Sequence, residues 1–264
     1  MNLELAGKRA LVTGSTAGIG YAIAQSLARE GAHVIVNGRT EQRVDQAIKS
    51  ILASHPQANV QGLAADLGTA DGVRVAVQRL PDVDILVNNM GIFDPKPFEK
   101  IPDEEWFRFF EVNVMSGVRL SRSYLPGMKK RNWGRIVFIS SESAVQIPAE
   151  MIHYGMTKTA QLAISRGLAE TTAGTGVTVN SVLPGPTASE GANEFIDRMA
   201  VGSKQTRAEF EAEFFRSVRP SSLLRRFARP DEVANLVAFV CSPLSSATNG
   251  AALRADGGVV RSIV

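Results

Sequence analysis

The amino-acid sequence predicts an α/β protein in which helices cover both faces of a parallel sheet. Two observations support this fold class. Short apolar runs alternate with longer amphipathic stretches along the 264 residues, and such alternation favours strand–helix–strand crossovers. The apolar runs also lack a regular polar face, which is typical of parallel strands that are buried on both sides.

The apolar runs predict about seven strands. The clearest lie at 10–13, 33–36, 84–87, 135–139 and 177–182, and weaker ones lie at 59–65 and 251–254. The amphipathic stretches predict helices at 19–29, 41–53, 70–79, 103–128, 151–172 and 231–240. No linker, repeat or low-complexity segment interrupts this pattern, so we expect a single domain over residues 1–264.

The composition argues against several classes of protein. The chain is 44% hydrophobic and 21% charged with a net charge of +3, which is ordinary for a globular protein. The basic residues are scattered and are not interleaved with aromatic residues, so we expect no nucleic-acid partner. The sequence shows neither a membrane-span pattern nor a leader pattern, so the expected location is the cytoplasm. The single cysteine, Cys241, predicts no disulfide, and we expect no metal site.

The segment 187–229 breaks the alternation of strands and helices. An insertion of this length is usually functional, so we predict one or two short helices that form a lid. Its apolar residues favour a partly apolar substrate, whereas its arginines leave an acidic substrate group open. The apolar residues are Phe195, Met199, Phe210, Phe214, Phe215, Leu223 and Leu224, and the arginines include Arg207, Arg216, Arg219, Arg225 and Arg226.

A glycine-rich turn lies between the first predicted strand and the first predicted helix. It contains Gly14, Gly18 and Gly20, and Thr13 precedes it. Glycines allow backbone N–H groups to approach a pyrophosphate closely, and the helix N-terminus behind them adds partial positive charge. A purely structural turn is the alternative. In this position the turn favours a Rossmann-type, doubly wound sheet that binds a dinucleotide.

Residues at the ends of the next strands bear on the choice of cofactor. Arg39 follows the second strand, where no carboxylate stands ready to bind a free ribose 2′-hydroxyl. A guanidinium there suits a 2′-phosphate, so NADP(H) is favoured over NAD(H), although Glu41 close by keeps NAD(H) possible. Asp66 is expected to accept from the adenine amino group. Asn89 and Gly91 follow the fourth strand, where the backbone must approach the cofactor.

Tyr154 and Lys158 predict proton-transfer chemistry. They are four residues apart in a predicted helix, so both side chains point from one face. A phenol has an unperturbed pKa of about 10, and a neighbouring ammonium favours its ionised form. We therefore expect Lys158 to lower the pKa of Tyr154. Glu142, which follows two adjacent serines, either lines the substrate side or is solvated.

Taken together, these motifs resemble the short-chain dehydrogenase/reductase family. The resemblance covers residues 5–258, lies within the single-domain branch, and is similar to the 3-oxoacyl-thioester reductase group. The motifs occur in the family's order: Thr13-Gly14-x-x-x-Gly18-x-Gly20, Asp66, Asn88-Asn89-x-Gly91, Asn113, Ser141, Tyr154-x-x-x-Lys158, Pro184-Gly185 and Asp256-Gly257-Gly258.

The resemblance implies a catalytic tetrad of Asn113, Ser141, Tyr154 and Lys158. Tyr154 would be the acid or base, Ser141 a donor to the substrate oxygen, and Asn113 the residue that orders a water linking Lys158 to solvent. Ser141 fits the family's spacing better than Ser140. The cofactor contacts that the resemblance and the motifs together imply are Thr13, Gly14, Ser15, Gly18, Ile19, Gly20, Arg39, Asp66, Leu67, Asn89, Gly91, Tyr154, Lys158, Pro184, Gly185, Thr187 and Ser189.

The expected function is hydride transfer between nicotinamide C4 and a small-molecule carbonyl or secondary alcohol. A non-catalytic dinucleotide-binding regulator or scaffold on the same fold is the alternative, since fold alone does not decide function. The resemblance also suggests a homotetramer or a homodimer built through the long helices at 103–128 and 151–172.

Overall fold

The structure, a computed structural model, describes residues 2–191, 197, 202 and 205–263. It contains a seven-stranded parallel sheet in the order β3-β2-β1-β4-β5-β6-β7. This confirms the predicted Rossmann-type fold. The strands are β1 Arg9–Val12, β2 His33–Gly38, β3 Val60–Ala64, β4 Ile85–Asn88, β5 Gly134–Ile139, β6 Val177–Pro184 and β7 Ala252–Ala255.

Helices lie on both faces of the sheet. They are α1 Gly18–Arg29, α2 Glu41–Ser54, α3 Ala70–Arg79, α4 Asp103–Phe110, α5 Ser116–Lys130, α6 Ile152–Glu170, α7 Arg207–Ser217 and α8 Pro230–Cys241. Apolar side chains of α1, α2 and α8 pack on one face, and those of α3, α5 and α6 pack on the other. Strands β5 and β6 are buried along their whole length, as the absence of polar alternation in their sequences predicts.

The predicted helix 103–128 is not one regular α-helix. A π-helical segment, Glu111–Met115, separates α4 from α5. It contains Asn113, whose side-chain oxygen accepts a hydrogen bond from the backbone N–H of Ile92 at 2.8 Å. Such π turns occur frequently at functional sites, and the apolar pattern of a sequence does not reveal them.

The strand order indicates which edge of the sheet is expected to bind a ligand. Strands β1 and β4 are neighbours, and the chain continues outward from them in opposite directions. Ligands of open α/β sheets bind at such a switch point, outside the carboxyl ends of the strands. The glycine turn follows β1 and the segment from Asn89 to Gly91 follows β4, so both lie at this edge.

Part of the segment 187–229 folds back over the same edge. Thr187 forms an isolated parallel bridge with Ala228, and α7 begins with a capping box between Thr206 and Glu209. Phe215 of α7 is buried. The predicted lid residues Phe195 and Met199 lie outside the described residues. Within the part of the chain that is described, no helix is both long enough and apolar enough to cross a membrane.

Candidate active site

The sheet and α6 bring three of the four predicted catalytic residues to one cavity. Ser141 follows the end of β5, and Tyr154 and Lys158 stand one turn apart near the start of α6. All three line a cavity of about 1000 Å³. The Lys158 ammonium lies 5.5 Å from the centre of the Tyr154 ring. The predicted pair is therefore a part of the cavity wall and not an exposed surface contact.

The two adjacent serines have different partners. Ser140 donates its hydroxyl to the carbonyl of Lys158 at 2.9 Å. Ser141 donates to Oε2 of Glu142 at 2.5 Å and accepts from the backbone N–H of Ser143 at 3.1 Å. The Ser140 hydroxyl is thus hydrogen-bonded to α6, and this favours Ser141 as the serine that faces a substrate.

The protonation of Tyr154 differs from the sequence-based expectation. Burial and, after it, the Glu142 carboxylate raise the pKa of Tyr154, although a hydrogen bond with Ser141 and the charge of Arg219 oppose the change. Burial lowers the pKa of Lys158 to about 8, against the influence of Glu142. The direction for Tyr154 is therefore opposite to the one expected from its spacing to Lys158, because the spacing carries no information about burial or about Glu142.

Asn113 reaches Lys158 through a side chain that the sequence did not single out. The Asn113 amide donates to the carbonyl of Ile92 and to Oγ1 of Thr157, both at 3.0 Å. Its backbone carbonyl accepts from Nε2 of Gln161 at 2.6 Å, and Oε1 of Gln161 lies 3.4 Å from Nζ of Lys158. Gln161 thus links the Asn113 backbone to the Lys158 ammonium. It is three residues after Lys158, and only the helix period points to it.

The glycine turn is held in place by the end of β4. Thr13 Oγ1 accepts from the backbone N–H of Asn89 at 2.8 Å, and the Asn89 amide donates to the carbonyls of Thr13 and Gly14. Gly14 and Gly18 have positive φ angles of 59° and 57°. A Cβ on Gly20 would lie 2.5 Å from the Gly14 carbonyl oxygen, so only glycine fits there.

Ser15, a predicted cofactor contact, has a structural role in this turn. Its hydroxyl donates to the carbonyl of Val12 at 2.7 Å and accepts from the backbone N–H of Asn37 at 2.9 Å. The backbone N–H groups of Gly14 and Ser15 donate to the side-chain and main-chain oxygens of Asn37. Asn37 therefore shapes the turn from β2, a function that its sequence context before Gly38 does not indicate.

A second cavity, of about 390 Å³, extends from the glycine turn toward β2. Arg39, a predicted cofactor contact, lines it, and so does Arg43, to which no sequence motif points. Arg43 forms an ion pair with Glu190 at 3.3 Å. Leu67 also lines the cavity, whereas the Asp66 carboxylate accepts from the backbone N–H of Gly68 at 3.0 Å.

The remaining predicted contacts line the larger cavity or border both cavities. Gly91 borders both cavities, and Ile19, Pro184, Gly185, Thr187 and Ser189 line the larger one. Thr187 donates its hydroxyl to the carbonyl of Gly185 at 2.9 Å. The Ser189 side chain packs against Gly18, where an added Cβ would come within 3.0 Å. The start of the segment 187–229 therefore lies against the first turn of α1.

The larger cavity is lined by both apolar and charged side chains. The apolar ones include Phe210, Phe214 and Phe227, and the Arg219 guanidinium lies 5.9 Å from the centre of the Phe214 ring. Nε of Arg219 lies 3.3 Å from Oε1 of Glu142, and its Nη1 lies 3.2 Å from Oε1 of Glu150. Arg219, one of the arginines that had left an acidic substrate group open, thus has two carboxylate partners within the protein.

The site's residues fit a nicotinamide dinucleotide. Ala17, the residue before α1, makes no side-chain cap and lines the smaller cavity, while Ile19 in the first turn of α1 lines the larger one. A family model described as short chain dehydrogenase matches residues 8–200. The chain belongs to the short-chain dehydrogenase/reductase family. It is an NAD(P)-dependent oxidoreductase that transfers hydride between nicotinamide and a carbonyl or alcohol.

Three relatives illustrate the range of this family. The uncharacterized oxidoreductase YvaG of Bacillus subtilis is 55% identical over 263 residues, covering 100% of both chains. The 3-oxoacyl-[acyl-carrier-protein] reductase FabG of Aquifex aeolicus is 33% identical and covers 98% of this chain and 100% of its own. The L-sorbose reductase of Gluconobacter frateurii, solved with NADPH and L-sorbose, has a TM-score of 0.93 at 31% identity and covers 100% of both chains.

Proposed function

We propose that this dehydrogenase/reductase is an NADP(H)-preferring carbonyl reductase in which Tyr154 is the acid, Ser141 binds the reacting oxygen and Lys158 supplies positive charge. One observation carries the proposal: Ser141, Tyr154 and Lys158 line a single cavity that also reaches the glycine turn and Gly91. A carbonyl group placed between Ser141 and Tyr154 could therefore approach a nicotinamide bound along that turn.

When bound, the reduced cofactor would supply a hydride to the carbonyl carbon and would itself become oxidised. The phenol of Tyr154, whose pKa is raised chiefly by burial, is protonated at neutral pH and donates its proton to the developing alkoxide, so an alcohol forms. Ser141 stabilises the same oxygen by hydrogen bonding. The buried Lys158 ammonium compensates the negative charge that Tyr154 acquires.

The preference for NADP(H) rests on two arginines. Arg39 and Arg43 both line the cavity beside the glycine turn, and a guanidinium pairs well with a phosphate. The L-sorbose reductase, which is similar along its whole length, was solved with NADPH. The other members of the predicted contact set, from Thr13 to Ser189, are proposed to bind the remainder of the same cofactor.

The proposed substrate is a small ketone or aldehyde with an apolar part. Phe210, Phe214 and Phe227 would pack against that part, so the segment 187–229 is proposed to act as the lid. A panel of carbonyls and alcohols, followed by nicotinamide absorbance with each cofactor, tests the proposal. Turnover of a carbonyl supports it. Tight cofactor binding with no turnover across the panel would instead favour a cofactor-binding regulator.

We also propose a cytoplasmic homotetramer or homodimer built through α4, α5 and α6. Phe107 of α4 is 73% exposed and Phe110 is 39% exposed, so an apolar surface is present beside the long helices. Light scattering coupled to size exclusion would give the mass of the assembly, and Phe107→Glu should reduce it. A monomeric wild-type chain would disprove the assembly.

A further inference from the structure

We infer that Glu142 makes the enzyme selective for carbonyl compounds that carry a hydroxyl on the carbon next to the carbonyl. The substrates would be α-hydroxyketones in reduction and vicinal diols in oxidation. This inference rests on the proposed carbonyl reduction. The Glu142 carboxylate is adjacent in sequence to Ser141, and the proposed proton transfer gives it no role.

Glu142 lies one hydrogen bond away from Ser141, the proposed partner of the reacting oxygen. Its side chain is 7% exposed and lines the same cavity as Ser141 and Tyr154. Oε2 of Glu142 is 2.5 Å from Oγ of Ser141, and Ser141 is the proposed partner of the substrate oxygen. A hydroxyl on the neighbouring carbon lies about one hydrogen-bond length from the carbonyl oxygen, so it can reach the same carboxylate.

The carboxylate has room for a further donor. An ionised carboxylate accepts at about four lone-pair positions. Among the described residues, its side-chain oxygens receive hydrogen bonds from Ser141 at Oε2 and from Nε of Arg219 at Oε1. The Arg219 side chain is 10% exposed and is also bound by Glu150, so it holds Glu142 in position.

The Ser141–Glu142 hydrogen bond provides the selectivity. A serine hydroxyl has one proton, so Ser141 donates either to Glu142 or to the substrate oxygen. An α-hydroxyl that donates to Glu142 replaces Ser141 there and frees the serine proton for the reacting oxygen. A plain ketone leaves the serine engaged with Glu142, or leaves a buried carboxylate oxygen without that partner, and both outcomes raise the barrier to reduction.

The charges around Glu142 disfavour the binding of a substrate that carries a carboxylate. Arg219 is shared between Glu142 and Glu150, so the three side chains together carry one negative charge. A 2-oxo acid would place its carboxylate where the α-hydroxyl is expected, against Glu142. The cluster therefore accepts a neutral donor and disfavours an anion at the same position.

Matched substrates test the inference without any mutation. With the wild-type enzyme and its preferred cofactor, kcat/KM for 3-hydroxybutan-2-one should exceed that for butan-2-one by at least about tenfold, the scale of one charge-assisted hydrogen bond. 3-Methoxybutan-2-one keeps the oxygen but lacks the proton, so it should behave like butan-2-one or worse. Pyruvate should be the poorest of the four. Equal kcat/KM values for the hydroxy and methoxy compounds would overturn the inference.

Two variants separate recognition by Glu142 from a general effect of the ion-pair cluster. Glu142→Ala should bring the ratio between the hydroxyketone and the plain ketone close to one, whereas Glu150→Ala, which also removes a partner of Arg219, should preserve it. Glu142→Gln, which has nearly the same shape, serves if the alanine variant does not fold, as judged by cofactor titration. A ratio that falls equally in the Glu142 and Glu150 variants would overturn the inference.

Ser141→Ala gives an independent readout. It should reduce kcat more for the hydroxyketone than for the plain ketone, because only the hydroxyketone frees the serine proton. An equal loss of kcat for both substrates would contradict the replacement of Ser141 by the α-hydroxyl as the donor to Glu142. If no carbonyl is reduced by the wild-type enzyme, the proposed function itself fails; if ketones are reduced without preference for the hydroxyl, only the role of Glu142 fails.

Discussion

Lys158 reaches past the ring of Tyr154. Its Nζ lies 5.5 Å from the ring centre and donates a hydrogen bond to the backbone carbonyl of Ile139 at 2.9 Å. The ammonium is therefore anchored to the end of β5, beside Ser140 and Ser141. This arrangement fixes the distance between the proposed proton donor and the charge that supports it, and it leads to the following predictions.

Removal of the Tyr154 hydroxyl should greatly slow turnover and largely spare cofactor binding. General acid catalysis contributes about 10²- to 10⁴-fold, so Tyr154→Phe should lower kcat on that scale. Tyr124→Phe is a matched control, because the buried Tyr124 hydroxyl has no hydrogen-bond partner among the described residues. It should keep full activity. A Tyr154→Phe enzyme with wild-type kcat on every substrate would remove Tyr154 from the mechanism.

The two reaction directions should respond differently to pH. Burial raises the pKa of Tyr154, so the phenol keeps the proton that reduction needs through neutral pH. Oxidation needs the deprotonated form, and its kcat/KM should rise steadily from pH 7 into the alkaline range. Initial rates in each direction, corrected for the proton that the overall reaction releases, provide the measurement. An oxidation rate that is flat above pH 7 would contradict the raised pKa.

Burial of the charged Lys158 side chain should lower the free energy of unfolding below pH 8. Its pKa is lowered by burial from 10.5 to about 8, so the unfolded chain binds more protons than the folded chain between these values. Stability therefore rises with pH in this window. Lys158→Met should stabilise the fold at pH 7 by up to about 3 kcal/mol, and this gain should shrink as the pH approaches 10.5.

Urea denaturation of both proteins at pH 7 and at pH 9.5 would measure this difference. Lys129→Met is the control, because the Lys129 ammonium bonds the carbonyl of Thr171 in an exposed position. Its effect on the free energy of unfolding should be small at both pH values. A Lys158→Met protein that is less stable than wild type at pH 7 would show that the hydrogen bond to Ile139 outweighs the burial of the charge.

Arg39 and Arg43 should determine the choice of dinucleotide. Arg39→Asp should reverse the order of affinity, because a carboxylate repels a 2′-phosphate and binds a free 2′-hydroxyl. Arg43→Ala should weaken the binding of NADPH and leave the binding of NADH unchanged. Fluorescence titration measures both, with Arg74→Ala, in an ion pair on α3 with Asp71, as the control. Tighter binding of NADH by the wild-type protein would refute a role for either arginine in reading a phosphate.

Two glycine-to-alanine changes should have opposite effects. A Cβ on Gly20 would lie 2.4 Å from the Asn89 amide and 2.5 Å from the Gly14 carbonyl. Gly20→Ala should destabilise the fold by about 1–3 kcal/mol and weaken cofactor binding. Gly167 lies in α6 with no atom within 4 Å of an added Cβ, so Gly167→Ala should stabilise by about 0.5–1 kcal/mol. Thermal and urea unfolding would compare them.

Much of the fold followed from local patterns. Parallel strands are short apolar runs, and each crossover is an amphipathic helix, so the order of elements could be predicted directly from the sequence. The π segment at Asn113 could not, because an apolar pattern does not distinguish it from an α-helix and the Asn113 side chain bonds Ile92, 21 residues away in the chain. The sequence did not point to Arg43 or Gln161 for a related reason: Arg43 lines the smaller cavity, and Gln161 contacts Asn113 and Lys158, only once the chain has folded.

The sequence by itself determined the doubly wound sheet, the glycine turn and the Tyr154–Lys158 pair, since these depend on residue type and spacing along one element. The tertiary structure alone decided the environment of that pair. Arg219 comes from the segment 187–229 and Glu142 from the loop after β5, and their ion pair joins parts of the chain 77 residues apart. Burial and the Glu142 charge then set the direction of the Tyr154 pKa, because electrostatic effects depend on distances through space and on exclusion of water.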